Sequence, residues 1–168
     1  MTAIIRALFL YHLAECQSGN ATTIRVEARE RTFRIDDNGR GHALDRTING
    51  LPYLRLVYTH LEYPFDLGTD TPIQLHTIGM SLINLFCSEL VVTVYKIGKA
   101  YVKFYKGGQL QKEEIEENPG NETGTAIEGT INPEMVPGEI NLHEMEQWLK
   151  GIKSVNRQLR LFFNGKEL

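Results

Sequence analysis

With 168 residues, 42% of them hydrophobic, the chain can build one core without metal or disulfide support. A net charge of −3 gives no basic footprint, which argues against direct nucleic-acid binding, and no apolar run approaches membrane-spanning length. Cys16 and Cys87 make no metal-ligand spacing and read as reduced, partly buried thiols of a cytoplasmic protein.

In chain order, the apolar run from Ile4 to Leu13 carries Arg6 and His12 and lacks a basic leader, so it predicts an amphipathic helix over 3–17 rather than a signal peptide. Strands are expected at 22–28 and 31–36, the second from the alternation in Thr32-Phe33-Arg34-Ile35-Asp36. Helical structure within 43–61, a loop over 62–75 and a helix over 76–87 follow, the last from the spacing of Met80, Ile83 and Phe86. Strands at 89–96 and 100–106 lead into a polar stretch. There the acidic run Lys112-Glu113-Glu114-Ile115-Glu116-Glu117 reads as a solvated loop, since nothing cationic faces it in sequence.

A strand at 123–130, a helix at 141–154 and a strand at 157–163 complete the pattern. Asn164-Gly165 signals a hairpin turn whose return strand is missing, an ending expected of a domain cut from a longer protein. Residues 1–168 are thus expected to form a single α+β domain, a two-layer α/β sandwich with a mixed, mostly antiparallel sheet and helices on one face. The five histidines, His12, His42, His60, His76 and His143, are scattered and read as surface or satisfied side chains rather than ligands.

Two glycine-bearing segments carry the chemistry. In Asp37-Asn38-Gly39-Arg40-Gly41 a strand delivers a carboxylate that can accept a hydrogen bond from an exocyclic amine. Gly39 and Gly41 would take positive φ there and let the backbone approach a flat ring. Asp-Asn-Gly is equally an ordinary turn. In Leu75-His76-Thr77-Ile78-Gly79-Met80-Ser81, residues His76, Thr77, Ile78 and Gly79 would lie at a helix N-terminus, where unpaired N–H groups and the helix dipole attract phosphate. A buried helix capped by Thr77 is the alternative.

Together these segments resemble the ATP-binding domain of the GHKL superfamily, within it most closely that of gyrase B and its topoisomerase relatives. There Asp-Asp-Gly-Arg-Gly precedes a lid, a glycine-rich helix start, two antiparallel strands and a Thr-Gly-Thr strand. This chain keeps that order over roughly residues 4 to 164, with Leu90 to Phe104 as the two strands and Thr123-Gly124-Thr125 as the last. The resemblance implies a Bergerat fold and binding of ATP or ADP through Asp37, Gly39, Arg40, Gly41, His76, Thr77, Ile78, Gly79 and Thr125. It also implies a salt bridge between Glu15 and Arg40 beside the adenine, with Thr125 supporting Asp37.

The family's catalytic helix is where the sequence departs. Laying Ser18-Gly19 on the family's Ala-Gly puts Tyr11 at the magnesium-binding Asn and Ala7 at the water-activating Glu; shifting by one residue puts Leu10 and Arg6 there. Alanine cannot accept a proton, and a neutral phenol is a poor ligand for Mg²⁺, so no catalytic and no metal residue is assigned. Gln74 and Thr77 replace glycines of the phosphate loop, and Tyr63-Pro64-Phe65 replaces the lysine-bearing part of the lid. Three readings stay open: a nucleotide-binding module with little or no hydrolysis, a pseudo-ATPase scaffold for a protein partner with its pocket collapsed or filled by aromatic side chains such as Tyr63, Phe65 and Tyr11, and an ATPase completed by another chain or a missing segment. Membrane binding is not expected.

Overall fold

The computed structural model describes residues 1–60 and 79–168. Among these described residues four helices, α1 (Thr2–Gln17), α2 (Tyr53–Thr59), α3 (Met80–Phe86) and α4 (Leu142–Val155), lie with ten strands. The strands are β1 (Thr23–Arg29), β2 (Thr32–Asp37), β3 (Thr47–Ile48), β4 (Leu51–Pro52), β5 (Cys87–Lys96), β6 (Gly98–Lys106), β7 (Gln109–Asn118), β8 (Gly124–Ile131), β9 (Arg160–Phe163) and β10 (Lys166–Glu167). Eight strands form one sheet in the order β10-β9-β1-β2-β8-β5-β6-β7, and β3 with β4 makes a separate small hairpin. Within the large sheet the β1–β9 pair is parallel and the other pairs are antiparallel. This is the expected two-layer α/β sandwich.

Period-two alternation decides which face is covered. On β1 the residues Ile24, Val26 and Ala28 point inward, and the register places them opposite Asp37, Ile35 and Phe33 of β2. Ile127 on β8 and Val92 on β5 extend the layer, with Phe33 packed over the bare backbone of Gly129. Against this face α1 sets Ile5, Leu8, Phe9 and His12 at helical spacing, and α4 sets Met145 and Leu149. Asn141 caps α4 by accepting from the Glu144 N–H at 3.0 Å. Glu144 in turn accepts from Arg6 at 2.8 Å, and Trp148 meets Phe9 edge-on at 5.3 Å, which ties α4 to α1.

Two expectations are corrected. The acidic run 112–117 is not a loop: it lies in β7, an edge strand facing β6, with Lys99 opposite Glu117 and Lys103 opposite Glu113 in direct ion pairs. The cations it lacked in sequence arrive from the neighbouring strand. The return strand after Asn164-Gly165 is present, since Lys166 pairs with Phe163 and Glu167 with Phe162 across a turn with both central residues at positive φ. The helical structure expected within 43–61 is α2 at Tyr53–Thr59, and Asn49 and Gly50, also at positive φ, turn the preceding stretch into the β3–β4 hairpin. The expected loop 62–75 and the first turn of the helix expected over 76–87 lie outside the described residues.

Among the described residues no helix is long and apolar enough to cross a membrane. Leu149 is fully buried on α4. Leu149→Ala should therefore lower stability by about 2–5 kcal/mol in urea unfolding, whereas the exposed neighbour Lys150→Ala should change it by less than about 0.5 kcal/mol.

Candidate functional site

Because β2 alternates, Asp37 falls in phase with Phe33 and Ile35 and its carboxylate enters the helix-covered layer rather than solvent. The side chain is 1% exposed. Its Oδ1 accepts the Gly39 N–H at 2.7 Å, a local Asx turn. Asn38 pins that turn to the start of β1: its Oδ1 accepts from the Thr22 and Thr23 N–H groups, both at 2.9 Å.

The glycines act in different ways. Gly41 has φ +69, and a Cβ there would meet the Gly124 carbonyl oxygen at 2.7 Å. Gly39 does not take the expected positive φ; it is needed because a Cβ would come within 2.8 Å of Asp37 Oδ1. Gly124 is the tightest of the three, since a Cβ would sit 2.0 Å from the Asp37 carbonyl oxygen. Thr125 is buried next to it on β8, the strand that pairs with β2.

Helix α1 supplies the facing side. His12, fully buried, brings Nδ1 to 2.5 Å from Asp37 Oδ2. Glu15, one turn after Tyr11, holds Arg40 through a two-pronged contact at 3.1 and 3.2 Å, the salt bridge that the resemblance implies. Lys96 closes the same turn by donating to the Arg40 carbonyl oxygen at 2.6 Å. One turn before Tyr11, Ala7 is buried in the core. Arg6, its alternative, is committed to Glu144 and lies over Trp148 at 5.2 Å.

A buried polar chain adjoins this carboxylate. The Tyr11 hydroxyl lies 2.7 and 3.1 Å from the two ring nitrogens of His42, the rings stack at 5.0 Å, and His42 Nε2 is 3.0 Å from the Tyr58 hydroxyl. Asn84 on α3 donates to the Tyr58 carbonyl oxygen at 2.8 Å, joining α2 to α3. Burial, with help from His12, lowers His42 from its ordinary 6.5 to about 3, so the ring is neutral at pH 7. Burial likewise holds the Tyr11 and Tyr58 phenols well above their ordinary value. It pushes both cysteine thiols up to about 12, so neither is a reactive thiolate.

Asp37, Gly39, Arg40, Gly41, Thr125 and Glu15 thus gather at one end of the sheet. Gly79 is the N-cap residue of α3, with Leu82 and Ile83 N–H groups bonded to its carbonyl at 3.0 Å. His76, Thr77, Ile78, Gln74 and the segment Tyr63-Pro64-Phe65 lie outside the described residues. The sequence reading missed His12, His42 and Tyr58. The signal for His12 was its place four residues after Leu8 on the apolar stripe of α1, where a buried imidazole requires a polar partner. Among the described residues no group of three or more His, Cys, Asp or Glu side chains could hold a metal ion.

No protein-family model matches the chain. It is 29% identical over 136 residues to the B subunit of DNA topoisomerase 4 from Rickettsia bellii, covering 77% of this chain and 20% of that protein. It is 33% identical over 119 residues to the B subunit of DNA gyrase from Campylobacter jejuni, covering 68% of this chain and 16% of that protein. The topoisomerase IV ATP-binding domain of Francisella tularensis, solved with a small-molecule inhibitor, superposes with a TM-score of 0.81 at 18% identity, over 99% of this chain and 84% of that domain.

The sheet order and the helices on one face are those of the Bergerat fold, and the gyrase B and topoisomerase IV sequence relatives place the chain in the GHKL superfamily. Within that superfamily the chain belongs with the ATPase domains of the gyrase B and topoisomerase IV type. It spans about a fifth of the length of the curated relatives it matches.

The neutral state of His42 carries a pH signature. Its folded pKa, about 3, lies below the unfolded value near 6.5, so below pH 6.5 the unfolded chain binds the extra proton and stability falls. That contribution should be fully present above pH 6.5 and be lost progressively towards about pH 3; in urea unfolding at stepped pH, His42→Leu should show a flatter profile over this window.

Proposed function

We propose that this chain is a nucleotide-binding module of the GHKL type that holds ATP or ADP by its base and hydrolyses it slowly or not at all. The observation that carries the reading is the Asp37 carboxylate at the end of β2, in a turn where Gly39, Gly41 and Gly124 keep the backbone close and Glu15–Arg40 flanks the edge. That arrangement fits a planar base bearing an exocyclic amine, with the phosphates assigned to Gly79 and to His76, Thr77 and Ile78. The resemblance to gyrase B-type relatives supports the same ligand.

The residues do not fit a magnesium-dependent hydrolase. Ala7 offers no general base. Tyr11 presents a phenol held neutral by burial and already engaged with His42, where Mg²⁺ would need a hard anionic or amide oxygen. The domain is assigned to the cytoplasm, as part of a larger assembly in which a partner chain or downstream domain reads the nucleotide state, without direct DNA contact by this acidic domain.

A second reading, a scaffold that binds no nucleotide, is favoured by one specific observation: both Asp37 oxygens already have protein partners. An ATPase completed from outside is the third reading, and appreciable Mg²⁺-dependent turnover by this chain would promote it. Calorimetric titration with ADP and a non-hydrolysable ATP analogue, with and without Mg²⁺, separates these. The module should bind both ligands with no gain from Mg²⁺, and Asp37→Asn should weaken binding by about tenfold or more while the fold persists. Absence of binding at millimolar ligand would leave the scaffold.

A further inference from the structure

We propose that His12 is a built-in competitor for the exocyclic amine of an aminopurine at Asp37, and that it thereby sets how tightly this domain holds its nucleotide. The inference rests on the nucleotide-binding reading above. The acceptor an aminopurine needs is buried beneath protein partners. Asp37 Oδ1 holds the Gly39 N–H at 2.7 Å and Oδ2 lies 2.5 Å from His12 Nδ1, with the two side chains 1% and 0% exposed. Each oxygen keeps a further lone pair, but with both side chains buried an incoming amine reaches Oδ2 only by moving the ring that covers it.

The two partners differ in how easily they leave. Gly39 donates from the backbone of a turn fixed by Asn38 to Thr22 and Thr23 and crowded by Gly124 against the Asp37 carbonyl. His12 donates from a side chain, which can change rotamer without moving the backbone that carries it. The imidazole also gains little where it is: Nε2 is buried without a hydrogen-bond partner among the described residues, so the ring makes one bond at the expense of leaving its second nitrogen dry. Released to water, both nitrogens are solvated. An amine of the 6-amino type, in the plane of an aromatic ring, presents to Oδ2 the same kind of in-plane N–H that the imidazole presents. A histidine needed merely to fill the core would not have to face a carboxylate.

The test is titration of the wild-type chain, His12→Ser and His12→Asn with ADP and with inosine diphosphate, whose base carries a 6-oxo group and no exocyclic amine. Removing the competitor should tighten ADP binding by about tenfold or more in His12→Ser, the scale of one hydrogen bond to a charged group, and leave inosine diphosphate unchanged. His12→Asn keeps an N–H donor near Oδ2 and should stay close to wild type. If the wild-type chain binds ADP and His12→Ser binds it no more tightly with its circular dichroism intact, the competitor role is overturned while the nucleotide reading stands. If neither binds ADP at millimolar concentration, both fall.

Should His12→Ser fail to fold, proton NMR of the wild-type chain decides. The downfield resonance of the short Nδ1–H···Oδ2 bond should vanish as ADP saturates, and its persistence would overturn the proposal.

Discussion

A carboxylate on the covered face of a sheet costs several kcal/mol unless its lone pairs are filled, and much of the site follows from how Asp37 meets that demand. The period-two repeat of β2 leaves it no choice of face: with Phe33 and Ile35 in the core, Asp37 must follow them inward. Gly39 and His12 then become its partners, one from the turn and one from α1. The requirement that Gly39 come close excludes a Cβ there, and the packing of Gly124 on the Asp37 backbone excludes one on β8. Sheet, turn and helix thus meet at one charged group.

Around this point the local rules of a well-packed core are broken in a concentrated way. His12 keeps a bare nitrogen, Asn84 a bare carbonyl oxygen and Tyr105 a hydroxyl without a partner among the described residues, while the Tyr11–His42–Tyr58 chain threads polar groups through buried space. Elsewhere the inward face is built of Ile, Val, Leu and Phe. Such conflicts collect where a site has been shaped for something besides stability. The fold is that of gyrase B-type domains, but a shared fold carries no activity by itself; on α1, Glu15 contacts Arg40 and lies one turn after Tyr11 and two after the buried Ala7.

Much of this was legible in the residues. The alternation in Thr32 to Asp36 placed β2 with Asp37 at its end, and the order of glycine motifs identified the superfamily. What was missed shares a physical cause: partners that only the sheet supplies. A run of glutamates has no apolar alternation, so β7 looked like loop until Lys99 and Lys103 came alongside from β6, although Gly107-Gly108, both at positive φ, marked the hairpin between them. Lys166 and Glu167 were too few to read as a strand. His12 and Asp37 are 25 residues apart, and each alone reads as ordinary. Gly39 was misjudged for another reason, since a sequence shows where a side chain is absent but not whether φ or a close contact demands it.

The buried carboxylate of Asp37 and the His12 ring act as a coupled pair, and a double-mutant cycle of His12→Ala, Asp37→Ala and the double variant, read by urea unfolding, measures that coupling. A favourable coupling of about 1–3 kcal/mol, the scale of a hydrogen bond to a charged group, is expected. Additive effects of the two substitutions would show that the two side chains are not coupled.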